Sequence, residues 1–343
     1  MKPVLSSLMV FMLILIPLTS LSGCAKNTAT GVAPPITTTV PPVSSAPGSE
    51  PPVDYVTIKG IQYNTSLTSL QLNAADLSDE DIIPLQHISS LTTLSLSHNM
   101  ISDLSPLAGL TDLTVLVLGI NQIGNIAPLA GLTNLTKLDL SYNQISDLSP
   151  LADLTNLAEL YLGSNKFNDI APLADLTNLT WLELGDNQIG DLSPLAGLTN
   201  LTMLGLNYTQ ICDISPLADL SNLAELFSSD NQIGDITPLA GLTNLTRLEL
   251  GGNRIIGDSK ISDVAPLASL INLSILNLRD NQISDVSPLA GLANLESLRL
   301  SDNQISDISP LAGLMNSIKL DLSGNQISDW SPVAHIRSVA GRP

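Results

Sequence analysis

Apolar residues in this chain recur in a fixed frame. From about Leu67 to the C-terminus the frame returns every 22 residues, most cleanly in residues 135–156, LTKLDLSYNQISDLSPLADLTN. Its fixed positions are Leu135, Leu138, Leu140, Asn143, Ile145, Leu148, Pro150, Leu151 and Leu154. A period of this length headed by LxxLxLxxN marks a solenoid. One copy cannot bury its leucines alone, so only the stack folds.

Leu138 and Leu140 alternate with Lys137, Asp139 and Ser141, which predicts a strand with one face in the core. Ser149-Pro150 predicts an N-cap and a first-position proline opening one short helical turn. Too few residues remain for a long helix, so the convex side is expected to be 3₁₀ or irregular. Asn143 and its counterparts are expected where the backbone turns inward, pairing amides and carbonyls from coil to coil. Thr209 interrupts that ladder, which should be weakest there.

The coils begin at Leu67, Leu91, Leu113, Leu135, Leu157, Leu179, Leu201, Leu223, Leu245, Leu273, Leu295 and Ser317, twelve in all. Twelve strands predict a parallel sheet roughly 55 Å long. The coil at Leu245 carries six extra residues around Arg254 to Lys260, expected to bulge from the convex side. Before the stack, Tyr55 to Tyr63 reads as a hairpin around Lys59-Gly60, expected to pair with the first coil. The boundaries read as a cap over 54–66, repeats over 67–336 and a tail over 337–343. The tail either folds over the last coil or leaves that edge for another molecule.

The N-terminus departs from the frame. Lys2 precedes an uncharged run from Val4 to Leu21, followed by Ser22, Gly23 and Cys24, which reads as a secretion signal over 1–23. Leu21-Ser22-Gly23-Cys24 resembles the lipobox of bacterial lipoproteins. That resemblance implies cleavage before Cys24, a diacylglyceride on its sulfur, and a chain facing outside the cytoplasm, anchored in the bacterial membrane. Residues 24–53 hold seven prolines among Thr, Ser and Ala and read as a tether. Its reach lies between about 30 Å as a coil and about 90 Å as polyproline II.

The frame LxxLxLxxNQIsDisPLagLtnL resembles the internalin-type leucine-rich repeats of bacterial surface proteins over about 265 residues. The resemblance implies a right-handed superhelical solenoid with a parallel β-sheet on a concave, protein-binding face. The hairpin departs from the helical cap of the internalins, and no LPxTG wall-sorting signal is present.

Composition narrows the chemistry. A formal charge of −19 argues against nucleic acid. His87, His98 and His335 are too far apart for a metal cluster or a triad, and Cys212 reads as an inert substitution. Glu159 and Glu183 on neighbouring strands would lie on an open sheet with nothing to exclude water, so catalysis is not expected. Asp103, Asp147, Asp169, Asp191, Asp213, Asp235, Asp263, Asp285, Asp307 and Asp329 recur once per coil. Calcium is the alternative there, but caps on local amides are the favoured reading. No cofactor is expected. The recurrent Asn-Leu-Thr sequons follow from the repeat and carry no glycosylation reading.

The outward strand positions are free to vary. They carry Val115, Val117 and Ile120, then Tyr142, Tyr161, Trp181, Met203, Tyr208 and Phe227, an aromatic run over five successive coils. Glu159, Glu183, Asp186, Glu225 and Asp230 accompany the aromatics, and Arg247, Arg279, Arg299 and Lys319 follow. Exposed aromatics beside sorted charge predict a binding face for an extracellular or envelope protein. A carbohydrate ligand and a purely structural envelope role are the rival readings.

Overall fold

The computed structural model describes residues 54–253, 260–315 and 318–343. The signal and tether (1–53, including Cys24), most of the insertion (254–259) and the coil head Ser317 lie outside the described residues.

The chain opens with an antiparallel hairpin, β1 (Tyr55–Ile58) and β2 (Ile61–Asn64). Lys59 and Gly60 both take positive φ, as the tightest hairpin turn requires. The hairpin does not pair with the first coil: it is a separate two-stranded sheet. It attaches through side chains, with Val56 and Ile58 buried in the core and Lys59 forming an ion pair with Asp81 at 3.6 Å.

The remaining strands form one parallel sheet of thirteen, each bonded to its sequence neighbour. These are β3 (Ser69–Gln71), β4 (Thr93–Ser95), β5 (Val115–Val117), β6 (Lys137–Asp139), β7 (Glu159–Tyr161), β8 (Trp181–Glu183) and β9 (Met203–Gly205). Then come β10 (Glu225–Phe227), β11 (Arg247–Glu249), β12 (Ile275–Asn277), β13 (Ser297–Arg299), β14 (Lys319–Asp321) and β15 (Ser338–Ala340). Pairing is in register, so Leu138, Leu160, Leu182, Leu204 and Leu226 stack one on the next with no exposed surface. A strand needs only three residues here because the frame turns the chain inward straight after the second leucine.

The turn is held by the expected asparagines. Asn143 Nδ2 donates to Leu140 O and to Leu118 O of the preceding coil, while its Oδ1 accepts from Ile123 N at 3.0 Å. The asparagine before each coil head supplies a second ladder: Asn134, Asn156, Asn178, Asn200 and Asn222 each donate to a carbonyl 23 residues earlier. The return side is built of short 3₁₀ turns, as expected, except for one α-helical turn at Asp79–Ile82.

The capping residue differs from expectation. Ser149 is the first residue of its 3₁₀ turn, and the cap is Asp147, whose Oδ1 accepts from Ser149 N at 2.8 Å. The same bond recurs at all ten aspartates of the column. The column is thus built by the backbone it caps.

The C-terminal edge carries β15, a thirteenth strand that the 22-residue frame does not announce. It follows β14 after a shorter coil, pairing Leu320 with Val339. Gly341, at φ +92°, lies against the Ser323 backbone where a side chain would collide. Arg342 Nη2 donates to Val333 O at 2.7 Å, closing the end.

Candidate functional site: the outer face of the sheet

Parallel, in-register pairing turns each outward position into a column. The first column reads Lys137, Glu159, Trp181, Met203, Glu225 and Arg247, and the second Asp139, Tyr161, Glu183, Gly205, Phe227 and Glu249. Glu159, Tyr161, Trp181, Glu183, Met203, Glu225, Phe227 and Arg247 therefore lie together on β7 to β11. Arg299 stands on a later coil, removed from the aromatic centre, whereas Arg279 reaches back to Asp230 on the coil of Phe227. Tyr142, Asp186 and Tyr208 line the rim beside the asparagine ladder.

The centre is more tightly packed than exposed aromatics would be. Tyr161, Met203 and Glu183 are buried by their neighbours. Tyr161 Oη donates to Glu159 Oε2 at 3.1 Å, and its ring lies 6.0 Å from that of Trp181. Lys137 Nζ sits 5.1 Å from the Tyr161 ring centroid and donates to Glu159 Oε2 at 2.6 Å. Burial, with the neighbouring Glu159 carboxylate, raises the Tyr161 phenol well above its ordinary range. Arg247 lies over the Phe227 ring at 4.7 Å and pairs with Glu249 at 3.0 Å. The sorted charge is thus partly spent within the face, and Arg279 likewise pairs with Asp230 at 3.6 Å.

Glu183 is the exception. Its Oε1 accepts from Gly185 N at 2.9 Å, and its carboxylate lies over Gly205. A Cβ at Gly205 would stand 1.8 Å from Glu183 Oε2, so only glycine leaves this space. Burial pushes its pKa up to about 7, with the Gly185 amide opposing.

The rim holds a second surprise. The residue before each ladder position takes positive φ in coil after coil: His98, Ile120, Tyr142, Ser164, Asp186, Tyr208, Asp230, Gly252, Asp280, Asp302 and Gly324. Asp and Gly suit that backbone, but a β-branched isoleucine is a true outlier there. Ile120 (φ 58°), Tyr142 and Tyr208 occupy it with large side chains that stay 41%, 39% and 54% exposed. Ile120 is a contact residue that the alternation of the strand does not single out. The sequence signal of that backbone is the predominance of Asp, Gly and Ser down its column.

Among the described residues, no group of three or more His, Cys, Asp or Glu is placed to hold a metal ion. Cys212 is a free, exposed thiol.

A continuous in-register sheet with an asparagine ladder and 3₁₀ returns defines a leucine-rich-repeat protein. The family described as Leucine Rich repeats (2 copies) matches residues 89–131, 133–175, 177–219 and 271–313. The single-repeat family matches 63–85 and 241–259. The chain belongs to this family, and within it is of the internalin type. A solved internalin (inlF) from Listeria monocytogenes is 36% identical over 83% of this chain and 90% of its own, with TM-score 0.71. Internalin C2 of the same organism is 42% identical over 55% of this chain and 85% of its own, with TM-score 0.51. The repeat ectodomain of an Arabidopsis thaliana receptor kinase, solved in complex with Casparian strip integrity factor 2, shares the fold alone. It is 22% identical over 76% of this chain and 36% of its own, with TM-score 0.63. No curated protein sequence matches.

Proposed function

We propose that this protein recognises an extracellular or envelope protein non-covalently through the outer face of its sheet, held at the membrane by lipid on Cys24. The observation that carries the recognition reading is the rim column. Ile120, Tyr142 and Tyr208 keep large, largely apolar side chains partly in solvent, at backbone positions that Asp, Gly, Ser and His fill elsewhere. Strain kept at exposed positions suits a contact surface better than a stability role. A receptor-kinase ectodomain of the same fold was solved with a bound factor, which supports recognition by a solenoid of this kind.

The test uses replacements that suit the backbone. Ile120→Asn, Tyr142→Asn and Tyr208→Asn together should leave the melting temperature unchanged or higher while removing capture of surface proteins by the immobilised chain. Undiminished capture moves the site off this rim, and glycan-array binding without any protein partner replaces the reading with carbohydrate recognition.

A further inference from the structure

The outer face repeats one arrangement, a cation laid over an aromatic ring and tied to a carboxylate. Lys137 does this with Tyr161 and Glu159, and Arg247 with Phe227 and Glu249. Between them stand Trp181 and Glu183, an aromatic and a carboxylate on one strand. Among the described residues no cation reaches either. The neighbouring positions on β9 are Met203 and Gly205, and the nearest basic side chains are engaged in their own pairs.

Glu183 is an odd residue to bury. An uncompensated carboxylate in a packed setting is destabilising, and a neutral glutamine would fill the same volume without that cost. Yet the sequence makes room for it: Gly185 supplies an amide and Gly205 supplies the space. Half of a cation site has been built.

We propose that the Trp181–Glu183 position receives a lysine or arginine side chain from the partner protein, completing the third copy of the arrangement. This rests on the recognition reading above and names the chemistry of the anchor. The aliphatic stem would lie along Trp181 and Met203, and the charged head would reach Glu183 beside Gly205. A fully desolvated charge pair walled by aromatics is the kind of contact that dominates a protein interface.

The pH dependence has a fixed sign. Glu183 binds a cation only when ionised, and burial holds its pKa near 7. Affinity should therefore fall as pH is lowered through about 7. The titratable groups that feel its charge are Tyr161 on β7 and Tyr142 on the rim of the coil before. Met203 and Gly205 on β9 contribute none.

Calorimetric titration of the full chain with acetyl-Leu-Arg-Leu-amide and its citrulline counterpart tests the proposal without any mutation. Citrulline keeps the shape and removes the charge. The arginine peptide should bind about ten-fold more tightly at pH 8, with the preference shrinking at pH 6 and vanishing in Glu183→Gln. Equal binding of the two peptides, no binding of either up to about 10 mM, or a preference surviving in Glu183→Gln overturns it. A captured protein partner with no arginine preference sinks this inference alone. An arginine preference with no protein partner sinks only the wider reading.

Discussion

Glu183 occupies a position that alternation alone assigns to solvent, yet it is buried with a pKa near 7. The consequence for stability can be signed. In the unfolded chain the group titrates near 4.5, so between 4.5 and about 7 the folded state holds the extra proton. Stability should fall as pH rises through that window, by at most about 3 kcal/mol at this one site. The capping aspartates act in the opposite sense and lower down. Bonds from the backbone amides hold the carboxyls of Asp147, Asp191, Asp213 and Asp285 below the ordinary aspartate range, so their contribution is present above that range and lost in stronger acid. Urea midpoints at pH 5 and pH 8, for the natural chain and for Glu183→Gln, isolate the first effect. The glutamine variant should lose the decline, and an unchanged decline would place its origin in another group.

At the scale of the element, the asparagine ladder is the continuous device, and coil seven breaks it. Thr209 is fully buried and keeps one rung bond, Oγ1 to Leu206 O at 2.7 Å. Its one hydroxyl proton is shared with Asn231 Oδ1, 3.0 Å from Oγ1, which also accepts from the backbone N of Thr209 and of Ile211. An asparagine at the equivalent position reaches back to the preceding coil with both an acceptor and a donor, which a hydroxyl does not. Thr209→Asn should therefore stabilise the chain by about 1 kcal/mol, read as a rise in the urea midpoint. A fall would mean that the coil has repacked around the smaller threonine. The outward columns follow from the same register, because a strand paired in step places every variable residue beside its counterpart.

For the molecule as a whole, stability accumulates coil by coil, since each coil contacts only its neighbours. Both ends need closure: the hairpin buries Val56 and Ile58 at one, and β15 with Arg342 shields the other. The wider proposal also places the chain at a membrane, where a single acylated cysteine would carry the attachment. Cys24→Ser should shift the protein from the membrane pellet to the soluble fraction. Retention in the pellet would refute lipid anchoring at that residue.

The sequence by itself determined the coil, its leucine core, its asparagine turn and the count of its twelve heads, because a 22-residue repeat obliges each residue type to meet its own copy one coil away. It also placed the aromatics and charges on one face, since alternation fixes which side a strand residue takes. Only the tertiary structure decided how those side chains share the face. Whether Tyr161 is a solvent-exposed ring or a covered one depends on Lys137, Glu159 and Trp181 from three adjacent coils. Whether Glu183 is buried depends on a glycine 22 residues later. Backbone sign at Ile120, and a thirteenth strand from a shorter final coil, were likewise settled in three dimensions. Periodicity encodes what every coil has in common; departures from it acquire meaning only from the neighbours against which they are packed.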